Sequence, residues 1–215
     1  MRDTTSIVVI SYTSTRDVAS VRKKPHLSDH IRYMEQFVDE ILVSEEMIRQ
    51  RVKELGEELS RDYEGKFPIL VSILKGGVYF LADLSRQMSV PHEIDFMVVS
   101  SYGDSQETSG IVRLVKDLKE NIHGRHVLLI EDIIDSGLTL DFLLKNLQVR
   151  GPASLEVCTL LSKPSRRQVH PPVKYLGYEI PDKFVVGYGL DYKQYYRHLP
   201  FVCVFKEEGA LEYRI

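Results

Sequence analysis

No stretch of this sequence approaches the roughly 18 consecutive apolar residues that a bilayer span requires. The longest apolar run near the start, residues 7–10, is too short for the core of a signal peptide. No membrane partner is expected. An excess of basic charge is missing too: 28 Lys and Arg stand against 31 Asp and Glu, a formal net charge of -3. Broad nucleic-acid binding needs the opposite balance, so it is not expected either. Cysteine is scarce. Cys158 and Cys203 each lie in an apolar, strand-like run without CxxC or Cys/His spacing. That excludes a disulfide frame and a zinc site, and points to buried thiols in a reducing, cytoplasmic setting. Two common phosphate loops are absent: there is no GxxxxGK[ST], and no GxGxxG behind a strand with an acid some twenty residues on. Repeats and low-complexity linkers are lacking as well.

What remains, at 215 residues and 43% hydrophobic, is enough for one large domain with a full core. Residues 1–30 are rich in Ser, Thr, Arg and Lys, without a sustained period, and read as an arm. Asp3, Asp17 and Asp29 count against a transit peptide. Residues 31–215 are expected to form a single domain. Ser44 can cap a helix carrying Glu45 and Glu46 in its first turn, with Ile48, Val52, Leu55 and Leu59 as its apolar stripe. Pro68 opens a strand over residues 69–74 that breaks at Lys75, Gly76 and Gly77. A helix through Phe80, Leu81, Leu84 and Met88 follows, then a strand at 92–100. Residues 101–110 are polar and turn-rich and read as an exposed loop. A helix is expected over 138–150, with Leu140, Leu143, Leu144 and Leu147 on one side, and a strand over 155–161. Alternating strands and helices imply βαβ units: an α/β fold with a central, mostly parallel sheet flanked by helices. Ligands of such sheets bind beyond the C-terminal strand ends. Three polar clusters fall there, namely residues 75–77, residues 131–139 and Lys163.

The middle cluster is the most telling. In VLLIEDIIDSGLT, residues 127–139, a buried strand through Ile130 runs into Glu131 and Asp132, then Asp135, Ser136, Gly137 and Thr139. A glycine turn, two hydroxyls and the unpaired N–H groups of a helix beginning at Leu138 suit a phosphate. Carboxylates would repel that phosphate, so Glu131 and Asp132 must face sugar hydroxyls or Mg²⁺. A phosphorylated ribose with a metal satisfies both halves. A helix cap would need only one acid. A receiver domain also ends a strand in paired acids, but no glycine turn into a helix follows them at once.

This stretch resembles the phosphoribosyl-pyrophosphate (PRPP) motif of type I phosphoribosyltransferases. LKGGVYFLADL at 74–84 is similar to the pyrophosphate loop of the hypoxanthine-guanine branch. SSYG at 100–103 resembles the start of its mobile loop. LLSKPSRR at 160–167 and PDKFVVGYGLDYKQYYRHLP at 181–200 resemble its purine pocket and the adjoining metal and pyrophosphate contacts. The likeness runs in order from about residue 40 to 205. Leu138 departs from the polar or basic residue that many relatives carry, which costs little where the loop binds through backbone N–H groups. The resemblance implies the type I fold, with a small hood built from chain-terminal segments. Residues Asp135, Ser136, Gly137, Leu138 and Thr139 would hold the 5′-phosphate, with Asp135 also a general acid/base near N7 of the base. Glu131 and Asp132 would face the ribose and one Mg²⁺, and Asp191, beside the purine, the second. Lys75, Gly76 and Arg197 would contact pyrophosphate. Lys163 would meet the purine 6-oxo group, Phe184 would stack on the base, the backbone of Val185 would read its edge, and Lys183 would border the pocket. Ser101 and Tyr102 would begin a lid over 101–110. Arg166 and Arg167 read as surface charge.

The implied reaction moves 5-phosphoribosyl from PRPP to N9 of hypoxanthine or guanine, giving a nucleoside monophosphate and pyrophosphate, in a homodimer or homotetramer. In this family the loop before the two glycines can carry a non-proline cis peptide at Leu74–Lys75. Two alternatives stay open: a xanthine-preferring transferase, and a PRPP-binding regulator of the same fold that binds RNA. Net charge disfavours the regulator.

Overall fold

The computed structural model describes residues 37–101 and 112–206, apart from the side chain of Ser101. The arm at 1–30 and the lid from Tyr102 onward lie outside the described residues.

Strand β2 (Ile69–Leu74) is apolar at five of its six positions and buried along its length except for Leu74. That pattern suits a strand covered on both faces. It lies inside a six-stranded sheet with β3 (Glu93–Ser101), β4 (Val112–Lys116), β5 (His126–Ile134), β6 (Ser154–Ser162) and β7 (Tyr175–Glu179), in the order β4-β3-β2-β5-β6-β7. Four neighbouring pairs are parallel, and only edge strand β4 runs antiparallel to its neighbour. From β2 the chain steps outward to β3 and β4, then returns to the opposite side of β2 as β5. The order reverses between β2 and β5, which is where open α/β sheets bind ligands.

Helix α1 (Glu45–Asp62) begins as its sequence implies. Ser44 Oγ accepts from the Met47 N–H at 3.2 Å, and Glu45 and Glu46 stand at the positive end of the helix dipole. Ile48, Val52, Leu55 and Leu59 form the buried face. They pack with Phe80, Leu81 and Leu84 of α2 (Val78–Gln87) and with Leu70, Leu128 and Ile130 of the sheet. Alternate residues of the same strands, Ile69, Val71, Val127 and Leu129, meet Leu140, Leu143 and Leu147 of α3 (Leu138–Gln148) in a second core. Each fully buried Leu, Ile or Val contributes about 1.5–3 kcal/mol. The α3 helix ends at Gln148, two residues short of the expected Arg150, because the chain turns there into a left-handed Gly151.

The hood is present. Strands β1 (Val38–Val43), β9 (Val202–Phe205) and β8 (Val185–Val186) pair antiparallel in the order β1-β9-β8. Phe37, Tyr196, Tyr192 and Phe205 stack within it, with ring centroids 4.5–5.0 Å apart for Phe37–Tyr196, Tyr192–Phe205 and Tyr196–Phe205.

One buried acid makes the return from β4 to β5 vulnerable. Asp95 on β3 is 7% exposed and accepts from the backbone N–H groups of Phe96, Lys119 and Glu120 at 2.7, 2.7 and 3.2 Å. Burial pushes its carboxyl up, but these three bonds and Lys116 outweigh that and hold it below the usual aspartate value. A depressed native value means the contribution is complete above about pH 4 and fades as pH falls through that lowered value. Asp95→Ala should lose about 2–4 kcal/mol in denaturant unfolding at pH 7. The gap between variant and parent should narrow as pH falls below about 4, and a gap unchanged at low pH would refute the ionised role.

Candidate active site

Two loops meet at the reversal point. The Leu74–Lys75 peptide is cis, and Gly76 and Gly77 follow it into α2. A Cβ on Gly76 would strike Asp132 Oδ2, and one on Gly189 would strike the Gly76 carbonyl oxygen. Only glycine lets the end of β2, the end of β5 and the hairpin around Gly189 approach this closely.

Strand β5 runs further than its sequence suggests. It does not stop before the acids but continues through them to Ile134, because β6 keeps pairing with it as far as Ile134–Ser162. Pairing with β2 stops at Ser72–Ile130. Glu131 and Asp132 therefore stand in the gap opened where β2 turns away. Burial pushes Asp132 up to about 6, with Asp191 adding to the rise and Arg197 opposing it. Burial and the neighbouring Asp132 charge raise Glu131 well above the usual carboxylate range. Two acids pressed toward their neutral forms fit a site that waits for positive charge or hydroxyl donors.

Beyond Ile134 comes the anion turn. Gly137 has φ +84°, a left-handed conformation that side chains avoid, and it delivers the chain into α3. A Cβ there would also come within 2.6 Å of the Val169 carbonyl oxygen. The Ser136 carbonyl accepts from Gln168 and Val169 N–H groups at 3.0 and 3.3 Å, so the turn is braced from outside. Residues 131–137, Thr139 and Leu140 line a cavity of about 220 Å³. The first-turn N–H groups of α3 have no helical partner and open toward anions.

Lys163 follows β6, is 7% exposed, and fixes its backbone by donating to the Ile134 carbonyl at 3.0 Å. Phe184 is 55% exposed although two aromatic rings lie beside it; Tyr192 and Phe205 meet it edge-on at 6.0 and 6.2 Å. A large ring held from behind with its other face open is a stacking platform. Val185 is buried in β8 beside it.

Other expected site residues sit differently. Lys183 donates to Glu40 Oε2 of β1 at 2.6 Å, so its ammonium is tied to the hood. Asp191 Oδ1 pairs with Arg197 Nη2 at 2.7 Å, and no group of three or more metal-ligating side chains gathers among the described residues. Arg166 and Arg167 are not idle surface charge. Arg166 Nε donates to Asp135 Oδ1 at 3.1 Å and lies 3.7 Å from Asp182, while Arg167 Nη2 donates to Ser162 Oγ at 3.0 Å. A short 3₁₀ turn, Pro164–Arg166, carries Arg166 to Asp135. Gln194 is an unforeseen member: Lys75 Nζ donates to its Oε1 at 3.0 Å. No helix is long and apolar enough to cross a membrane among the described residues.

An acid pair, a phosphate turn and a glycine loop at one sheet edge match a known design, and residues 38–193 match the phosphoribosyl transferase domain. The chain belongs to the phosphoribosyltransferase family. Within it, the hypoxanthine phosphoribosyltransferase of Salmonella typhimurium is 51% identical over 165 residues, covering 76% of this chain and 93% of the relative. The hypoxanthine-guanine phosphoribosyltransferase of Bacillus subtilis is 47% identical, over 80% of this chain and 96% of its own. A crystal structure of a Staphylococcus aureus hypoxanthine phosphoribosyltransferase superposes with a TM-score of 0.78 at 46% identity, covering 81% of this chain and 95% of that one. This phosphoribosyltransferase therefore falls in the hypoxanthine branch of its family.

Proposed function

We propose that this phosphoribosyltransferase is a purine salvage enzyme, transferring 5-phosphoribosyl from PRPP to N9 of hypoxanthine or guanine. The observation that carries the reading is the meeting of Gly76, Asp132 and Gly189 at the β2–β5 gap, with Lys163 bonded to Ile134 at the start of the anion turn. Residues 135–139 hold the 5′-phosphate. Lys75, Gly76 and Arg197 hold the pyrophosphate. Glu131 and Asp132 accept from the ribose hydroxyls. Lys163 donates to the 6-oxo group, Phe184 stacks on the ring and the Val185 backbone reads its edge.

The carboxylates fit Mg²⁺. Glu131, Asp132 and Asp191 offer hard oxygen donors, and Mg²⁺ is ordinarily held by one or two carboxylates with substrate phosphates completing the shell. When bound with PRPP, the metal supplies charge neutralisation to the pyrophosphate. The chain does the rest. The C1′–O bond to pyrophosphate breaks as the C1′–N9 bond forms, through an oxocarbenium-like state, and Asp135 takes the proton that the base gives up at N7. Positioning the base against C1′ and excluding water supply much of the rate. Residues 101–110 form the lid in this reading. Residues 31–215 act as one domain, with 1–30 as an arm, in a homodimer or homotetramer of the cytoplasm.

Gly76→Ala tests the convergence. The added methyl must displace Asp132 or the loop, and an ångström of misplacement costs about 10²-fold. The expected result is that loss in kcat/KM for PRPP, with KM for hypoxanthine nearly unchanged and thermal stability within a few degrees. Parent-like kcat/KM would show that the loop and the acid do not share one ligand.

A further inference from the structure

The hairpin that presents Arg197 turns in a strained way. Tyr192 and Tyr195 exchange backbone hydrogen bonds at 2.9 and 3.2 Å, leaving Lys193 and Gln194 as a two-residue turn. Both have left-handed backbones, with φ of +49° and +74°. Two-residue turns with positive φ at both positions strongly favour Asn-Gly. Lys and Gln here are outliers, and such outliers are held by their surroundings at functional sites.

The side chain of Gln194 supplies a reason. Its Oε1 accepts from Lys75 Nζ at 3.0 Å and from Arg197 Nη2 at 3.2 Å. These cations arrive from different places, the end of β2 and the turn that follows the Tyr192–Tyr195 bridge, and both converge on one neutral oxygen. Asp191 fixes the arrangement: its Oδ2 accepts from the Gln194 N–H at 2.8 Å and its Oδ1 pairs with Arg197 at 2.7 Å. The Gly189 carbonyl accepts from Arg197 Nη1 at 2.6 Å, so the guanidinium is held from a second side.

We infer that Gln194 is an internal placeholder in the pyrophosphate site, whose amide oxygen stands in for a leaving-group oxygen between Lys75 and Arg197. This rests on the proposed role of those two cations. The oxygen occupies donors of both cations before the substrate arrives, and pyrophosphate must displace it to bind. Because the amide is neutral, the charged pyrophosphate outcompetes it through stronger, charge-assisted bonds. When pyrophosphate leaves, the amide returns to the cations and opposes rebinding. A carboxylate at this position would hold the same two cations too well.

Two substitutions separate this role from mere turn stability. Gln194→Gly removes the amide and suits the left-handed backbone. Gln194→Glu keeps the shape and adds charge. In calorimetric titration of the full chain with magnesium pyrophosphate, Gln194→Gly should bind about 3- to 10-fold tighter. Gln194→Glu should bind at least about 10-fold weaker. Product inhibition by pyrophosphate should move the same way, with KM for hypoxanthine unchanged in both. Equal weakening in the two variants, or no change in either, would overturn the inference. Lys75→Ala and Arg197→Ala are the control for the underlying reading. If neither weakens pyrophosphate, the site assignment itself is wrong.

Discussion

Asp135→Asn should lower kcat by about 10²- to 10⁴-fold, the range that positioned proton transfer contributes, while PRPP binding stays close to that of the parent. Asp135 follows β5 directly and is the first residue of the turn proposed to hold the 5′-phosphate. Its Oδ1 accepts from Arg166 Nε at 3.1 Å. An asparagine oxygen can accept that same bond, so the side chain keeps its place and loses only its basicity. Binding through the N–H groups of the turn does not need the carboxylate. Rapid-mix turnover beside a PRPP titration would separate the two effects. A kcat within a few-fold of the parent removes Asp135 from proton transfer.

Adenine should be turned over at least about 10⁴-fold less efficiently than hypoxanthine. Lys163 is only 7% exposed, and its ammonium has donors and no acceptor. A 6-oxo group takes one of those donors. A 6-amino group presents donors of its own and would leave a charge buried without a partner, which sites of this kind reject strongly. Lys163→Gln offers both a donor and an acceptor, so it should narrow the gap by lowering hypoxanthine turnover and admitting a trace of adenine. Comparable kcat/KM for the two bases in the parent enzyme would sink the assignment of Lys163.

Much of the site was legible in the sequence, for local reasons. The run Val127–Leu128–Leu129–Ile130 reads as a doubly covered strand, and Gly137 marks the turn into a helix because its φ of +84° suits no other residue well. Glycines at 76 and 77 mark a loop for another reason: neither has a left-handed φ, but a Cβ on them would strike Asp132 Oδ2 or Ser72 Oγ. What the sequence hid depends on distant partners. Strand β5 extends through Glu131 and Asp132 because β6 runs beside it, and nothing near those acids announces that. The hood pairs Val38 with Phe205 across most of the chain, and Val185 with Val204 across a closer but irregular stretch. Local periodicity cannot register them. The two arginines after Lys163 read as solvent charge until a 3₁₀ turn aims Arg166 at Asp135. Gln194 was invisible because its turn lacks the Asn-Gly pair that usually marks such a hairpin.

The central claim is that one sheet edge binds PRPP and a 6-oxopurine together and joins them. The most direct test follows nucleotide and pyrophosphate together in a mixture of the full chain, PRPP, hypoxanthine and Mg²⁺, with a parallel sample containing a chelator. The account predicts inosine monophosphate and pyrophosphate in equal amounts, and loss of both when the metal is chelated. Tight PRPP binding with no nucleotide formed would contradict it, and would turn the reading toward a PRPP-sensing protein.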